Sequence, residues 1–367
     1  MLNRRQLLFG SAAGAAGMLM PRGLGAADGR RFLFVFANGG WDPTVVFAPL
    51  FDNAQVDMPE ASVEATVGGL RFVDSANRPS VRSFFEAHGS RTAVVNGIEV
   101  RSVSHERCRR LALTGRAEGD ADDWPSILAG HGSGELLLPH LVASGPSYTS
   151  AFSSQVVRIG NGSQLPDLLQ SPTDSSTEAW LLERARTREG ELAQAYERVL
   201  SDARQVAELG LPFRDDEAWL DRVDGLLDAL EGGASRCGLI RHDGLWEQTF
   251  DSHAANFMQS EHFELLFSDL SGLVDAIEGR GLELTLVVFS EMGRHPQLNG
   301  QQGKHHWTAT SAMLWGDGVA GDRVVGGFDD QVEGGFTAAD LGATLLAMGD
   351  VDPGAWTDGE VIEELLG

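Results

Sequence analysis

The stretch RFLFVFANGG (Arg31–Gly40) decides the fold of this chain. After Arg31 it is a continuous apolar run as far as Ala37, and it closes with an asparagine and two glycines. Such a run, ending in a glycine turn, is typical of a strand buried on both faces of a parallel sheet. Three further runs have the same character, namely Thr92–Val95, Leu284–Phe289 and Thr310–Trp315.

Segments with helical periodicity lie between these runs: Pro79–Ala87, His105–Leu113, Glu261–Glu278 and Thr337–Met348. Strands that alternate with helices predict an α/β fold, doubly wound, with a mostly parallel sheet between helices. In such folds ligands bind beyond the carboxyl ends of the strands. We therefore expect the functional site at that edge of the sheet.

The domain organisation predicted from the sequence is a single α/β domain over residues 28–367. Within it, the stretch of about 176–231 is acidic, helix-prone and poor in β-branched residues, which predicts a helical insertion.

The first 27 residues have the pattern of an export signal. Asn3–Leu8 resembles a twin-arginine box, a weakly apolar run extends from Leu7 to Met20, and Gly25–Ala27 offers small residues for cleavage. The apolar run is shorter than the roughly 20 residues of a membrane helix, and no cysteine follows it. These features predict export by the twin-arginine machinery to the periplasm or the exterior, without a stable membrane anchor.

Charge and cysteine content exclude several classes of function. The chain has 28 basic and 53 acidic residues, a formal net charge of −25, and such a field repels nucleic acid. It has only two cysteines, Cys108 and Cys237, and no cysteine-rich zinc pattern. We expect no nucleic-acid partner, and we expect Cys108 to be a buried free thiol.

Acidic residues and histidines recur in short motifs beside the predicted strand ends, and together they form the ligand set of a divalent metal such as zinc, manganese, iron or calcium. In an extended segment, side chains two positions apart point to the same side, whereas adjacent side chains point to opposite sides. We therefore expect only one histidine of the adjacent pair His305-His306 to be a ligand, while the other supports it. A capping or ion-pairing role remains an open alternative at several of these positions. The candidate ligands are Asp42, Asp251, His253, Glu291, His305 and His306.

The segment Ser104–Arg116 is similar to the active-site helix of sulfatases. Arg109 and the closing Leu-Thr-Gly-Arg stand at the matching offsets, but His105 occupies the position of the sulfatase nucleophile. The resemblance implies a pocket for an ester, with Ser104, His105 and Arg109 as catalytic candidates, while His105 excludes the formylglycine route. Arg109 lies one helical turn after His105, from where its guanidinium could hold a sulfate or phosphate oxygen.

In this order, the motifs resemble those of the exported bacterial family called domain of unknown function 1501, which is similar to the sulfatase and alkaline-phosphatase superfamily. They are the Gly-Gly-x-Asp ending at Asp42, Ser104-His105, Asp251-Ser252-His253, Ser290–Arg294 and His305-His306-Trp307. The resemblance covers nearly the whole mature chain and implies an alkaline-phosphatase-like fold. Met292 replaces a second ligand of the superfamily, which implies one metal rather than two.

Two functions follow as hypotheses. The first is an exported metal-dependent hydrolase of a sulfate or phosphate ester, on a small molecule or a polymer. In it either Ser104 is the nucleophile, with His105 as base or ligand, or a metal-bound water attacks. The second is a catalytically degenerate member of the same fold that binds a ligand, a partner or a surface polymer.

Overall fold

The computed structural model describes residues 29–132, 136–159, 218–329 and 331–367. The predicted signal peptide and most of the predicted helical insertion lie outside these residues. The part of that acidic stretch that the structure describes is a helix, Trp219–Glu231, whose buried leucines pack into the hydrophobic core.

A central nine-stranded sheet organises the molecule. Its strand order is β12-β4-β11-β8-β1-β7-β5-β6, with β13 beside β4, while β2 and β3 form a hairpin and β9 and β10 a short ribbon. The strands are β1 (Arg31–Ala37), β2 (Ser62–Val67), β3 (Leu70–Ser75), β4 (Thr92–Glu99), β5 (His140–Val142), β6 (Val156–Arg158), β7 (Cys237–His242), β8 (Leu284–Ser290), β9 (Gly293–Arg294), β10 (His306–Trp307), β11 (Ala309–Gly316), β12 (Arg323–Gly326) and β13 (Phe336–Thr337).

Helices cover both faces of this sheet, which explains why its central strands are apolar throughout. In β1, Leu33, Val35 and Ala37 face one core, whereas Phe32 and Phe34 face the other. The helices are α1 (Pro43–Val46), α2 (Pro79–His88), α3 (His105–Thr114), α4 (Trp124–Gly130), α5 (Trp219–Glu231), α6 (Met258–Gly279) and α7 (Ala338–Met348). The first core lies under α2, α5 and α6, and the second under α3, α4 and α7.

The predicted α/β class with a mostly parallel sheet is confirmed. β1 is parallel to both of its neighbours, β7 and β8, but β11 runs antiparallel to β4 and β8. β7 was not among the strands predicted from the sequence, because its apolar pattern is interrupted by Gly238, Arg241 and His242.

The reversal of β11 has a direct effect on the site. The amino end of β11 lies at the same edge of the sheet as the carboxyl ends of β1 and β8. Residues that precede β11 therefore meet residues that follow β1 and β8.

Both cysteines are buried free thiols, as predicted for Cys108. Burial raises the pKa of Cys108 to about 11 and that of Cys237 to about 12. None of the helices among the described residues combines the length and apolar character that crossing a membrane requires.

Candidate metal centre

Three side chains from separate segments converge at this edge of the sheet. The possible ligand atoms of His105, Asp251 and His306 lie within 4.8 Å of one another, and we call these residues the His–Asp cluster. His105 Nε2 is 3.4 Å from Asp251 Oδ2, and His306 Nε2 is 3.9 Å from Asp251 Oδ1. Imidazole and carboxylate donors at such spacing match the ligand preference of zinc and related transition metals.

His253 extends the cluster. Its Nε2 atom is 2.9 Å from His306 Nε2 and 3.5 Å from Asp251 Oδ1, so Asp251 and His253 do project to the same side. Burial lowers the pKa of both His253 and His306, which favours the neutral form of these imidazoles. A neutral imidazole has a lone pair to offer, so both rings are suited to ligation.

His105 is the first residue of α3 and is fixed from two sides. Its Nδ1 is 2.9 Å from Glu291 Oε1, while its Nε2 faces Asp251. Hydrogen bonds with Asp251 and then Glu291 raise the pKa of His105 to about 9. A carboxylate on one ring nitrogen orients the other, which is how metal-binding histidines are commonly positioned.

Glu291 follows β8 and is fully buried. Its carboxylate accepts hydrogen bonds from the backbone N–H groups of Gly39 (3.1 Å) and Gly40 (3.2 Å), in the turn after β1. The ends of β1 and β8 are thereby joined at the point where His105 makes contact. Glu291 thus supports His105 in this geometry.

Two arginines balance the carboxylates. Arg294, fully buried, places Nη2 2.7 Å from Asp251 Oδ1, and Arg109 places Nε 3.6 Å from Glu291 Oε1. Burial alone would raise the pKa of Asp251, but the hydrogen bond from His105 and the charge of Arg294 together lower it well below its ordinary value. Arg294 was not among the predicted site residues, although it ends the Ser290–Arg294 motif.

The structure places Asp42 differently. This buried carboxylate caps α1 through Thr44 N (3.0 Å), pairs with Lys304 Nζ at 2.9 Å and accepts from Asn256 Nδ2 at 2.9 Å. It is not part of the His–Asp cluster, and the capping alternative describes its geometry. Lys304 was not among the predicted site residues, although it directly precedes His305 and His306.

Two further candidates do not reach the cluster. His305 is exposed, with its ring 5.8 Å from that of His253, so only His306 of the adjacent pair turns to Asp251. Ser104 is exposed at the start of α3, and its side chain makes no capping hydrogen bond.

Comparison with known families finds a match over part of the chain. Residues 235–360 match the model of the family described as "Protein of unknown function (DUF1501)". This segment contains Asp251, His253, Glu291 and His306, and the match confirms the resemblance stated from the sequence. Among curated proteins, none matches the chain.

Solved structures similar to this chain have alkaline-phosphatase-like folds. Murine ectonucleotide pyrophosphatase / phosphodiesterase 5 aligns with a TM-score of 0.50 at 9% identity, over 92% of this chain and 100% of that one. The phosphonate monoester hydrolase from Silicibacter pomeroyi gives 0.45 at 10% identity, over 92% and 76%. The PsFucS1 sulfatase from Pseudoalteromonas sp. gives 0.42 at 12% identity, over 90% and 70%. Because the sequence identities are only 9% to 12%, this structural similarity concerns the fold alone.

Proposed function

We propose that this protein is an exported, metal-dependent hydrolase of a sulfate or phosphate ester. The observation that carries the proposal is the His–Asp cluster, joined by His253, at the ligand-binding edge of the sheet. Export rests on the signal pattern of residues 1–27.

The donor set favours one class of metal. Three imidazoles and one carboxylate suit zinc, manganese or iron, whereas calcium takes six to eight oxygen ligands. Of the cations considered from the sequence, calcium therefore fits least well. His105, Asp251, His253 and His306 would hold the ion, and Glu291 would orient His105.

The charges around the cluster favour an anionic substrate. Asp251 and Glu291 are matched by Arg294 and Arg109, so the fixed charges nearly cancel before any ion binds. A divalent cation held by these residues would supply Lewis-acid chemistry, polarising the ester and lowering the pKa of water bound to it. Arg109, whose side chain is 30% exposed, would then hold a non-bridging oxygen of the ester.

Of the two attack routes, the geometry favours water. Both ring nitrogens of His105 face carboxylates, those of Glu291 and Asp251, and neither has a described contact with Ser104, which argues against His105 as a base for that hydroxyl. Ser104 is exposed, and its side chain makes no capping hydrogen bond and no described bond to the cluster.

A catalytically degenerate binding protein is the second candidate. The observation in its favour is the buried Asp42–Lys304 pair, because the resemblance implies a metal ligand at Asp42. Buried Met292 likewise stands where a second ligand is implied.

Metal content tests the proposal. Protein recovered from the periplasmic fraction after export through its own leader should contain about one transition metal per chain by elemental mass spectrometry. His306→Ala should lose that metal because it removes a member of the cluster. His305→Ala, the adjacent residue outside the cluster, is the matched control and should keep it. Equal metal content in the two variants, or none in the wild type, contradicts the proposal.

Turnover separates the two candidates. The metal-loaded protein should hydrolyse at least one member of a panel of sulfate and phosphate monoesters, and His105→Ala should reduce kcat by about 100-fold or more because a ligand is lost. Circular dichroism would verify that the variant is folded. Undiminished turnover in His105→Ala would refute the role of this residue, and a metal-loaded protein inactive on the whole panel would favour the binding protein.

A further inference from the structure

A cavity of about 320 Å³ lies beside the His–Asp cluster. Asn38 and Arg109 belong to its wall, and Arg109 is the residue that reaches Glu291 on the other side. The rest of the wall includes Phe36, Tyr148, Arg158 and Arg241. The cavity and the metal centre therefore share Arg109.

The wall is unusually basic for this chain. Three of its residues are arginines, in a protein with 28 basic and 53 acidic residues. Arg158 has no carboxylate partner among the described residues and donates only to the carbonyl oxygens of Gly145 (3.0 Å) and Ser147 (3.4 Å). The one acidic residue in the wall, Glu106, accepts from the Tyr148 hydroxyl at 3.3 Å.

A chain of polar contacts fixes two of the arginines. Arg109 Nη2 donates to Asn38 Oδ1 at 3.0 Å, Asn38 Nδ2 donates to Asp243 Oδ1 at 2.8 Å, and Arg241 Nε donates to Asp243 Oδ2 at 2.7 Å. This network holds both guanidinium groups in place. Preorganised guanidinium donors are the groups that bind sulfate, phosphate and carboxylate with defined geometry.

We propose that this cavity is a subsite for a second anionic group of the substrate. The ester that reacts at the metal centre would carry a further sulfate, phosphate or carboxylate, which Arg158 and Arg241 bind while Phe36 and Tyr148 contact the apolar part of the same molecule. The substrate class is thus an ester with at least two anionic groups. Only the reacting ester rests on the proposed function; the binding of an anion in the cavity does not.

Calorimetric titration of metal-stripped protein with inorganic sulfate tests the subsite. Arg158→Gln and Arg241→Gln should each weaken sulfate binding about 10-fold, and the double variant should abolish it. Arg107→Gln is the control, since Arg107 lies on α3 but pairs with exposed Glu118 outside the cavity. The proposal would be overturned by wild-type affinity for sulfate in both variants, by equal weakening in Arg107→Gln, or by a wild type that binds no sulfate. Thermal unfolding would verify folding, and Arg158→Lys, which keeps the charge, should bind with intermediate affinity.

The kind of anion follows from parallel titrations. Stronger binding of sulfate and phosphate would assign a tetrahedral group, whereas stronger binding of acetate would assign a carboxylate.

In turnover, Arg158→Gln should raise KM about 10-fold for an ester that carries a second anion and leave KM unchanged for a simple monoester. If the wild type binds sulfate but contains no metal and hydrolyses no ester, the proposed function is refuted and the subsite remains supported. If the wild type contains metal and hydrolyses monoesters but Arg158→Gln shows none of these effects, the subsite alone is refuted.

Discussion

Lys304 and Asp42 form a buried ion pair, with both side chains no more than 1% exposed. The hydrogen bonds from Thr44 and Asn256 complete the surroundings of the carboxylate. Desolvating two charges is costly, so such a pair persists only when each charge keeps its partner. The pair therefore fixes the start of α1 and the approach to His306 together.

We expect Lys304→Met to lower the free energy of unfolding by about 3–5 kcal/mol, because it leaves the Asp42 carboxylate buried and unpaired. The double variant Asp42→Asn/Lys304→Met should lose clearly less than the sum of the two single variants, since the pair acts as a unit. Urea denaturation measures all three values. Additive losses would show that Asp42 and Lys304 are not coupled.

Among the elements, the turn after β1 and the segment Thr249–His253 approach each other very closely. Gly39 has a φ of +112°, and a Cβ added there would lie 2.7 Å from Asp251 N and 2.8 Å from Phe250 N. Only a residue without a side chain lets these two backbones meet. The position of Asp251 in the His–Asp cluster thus depends on a glycine in another segment.

Gly39→Ala should displace the backbone that carries Asp251 and weaken metal binding about 10-fold or more, as measured by competition with a chelator. Gly119→Ala is the matched control, because Gly119 has a φ of +86° but nothing within 4 Å of an added Cβ. It reports the cost of the backbone conformation alone. If the two variants bind the metal equally well, the close approach at Gly39 does not position Asp251.

The bounds of β1 and the location of the site follow from the sequence, because a long apolar run and a glycine turn are local signals. The direction of β11 does not, since a buried strand has the same pattern whether it is parallel or antiparallel. The choice between His305 and His306 depends on that direction and on the β9–β10 ribbon. The pairing of Asp42 with Lys304 spans 262 positions of the chain and leaves no local pattern.

At the scale of the whole molecule, buried histidines contribute to the response to acid. His140 is fully buried in β5, and burial lowers its pKa to about 4, against a small opposing effect of Asp123. His262 on α6 is lowered to about 4 as well, by burial and then by the charge of His242. In the unfolded chain both regain the ordinary pKa of 6.5.

Between pH 6.5 and pH 4 the unfolded state therefore binds protons that the folded state does not, and stability falls as the pH falls. For His140, protonation of the unfolded chain lowers the free energy of unfolding by about 3 kcal/mol when it is complete. His140→Leu should reduce the loss of unfolding free energy between pH 7 and pH 4, measured by urea denaturation at each pH, and His262 accounts for part of what remains. An unchanged dependence on pH in His140→Leu would contradict this account.

The reversal of β11 also bears on how the site can be inherited. Glu291, Arg294, Lys304 and His306 all lie on the single excursion that leaves β8 and returns as β11. One member of the His–Asp cluster (His306), the arginine that pairs with Asp251 (Arg294) and the carboxylate that supports His105 (Glu291) are thus encoded together in one short piece of the gene. Exchanging that piece between relatives would transfer these three groups in one event, whereas His105, Asp251 and His253 would have to be matched to it separately.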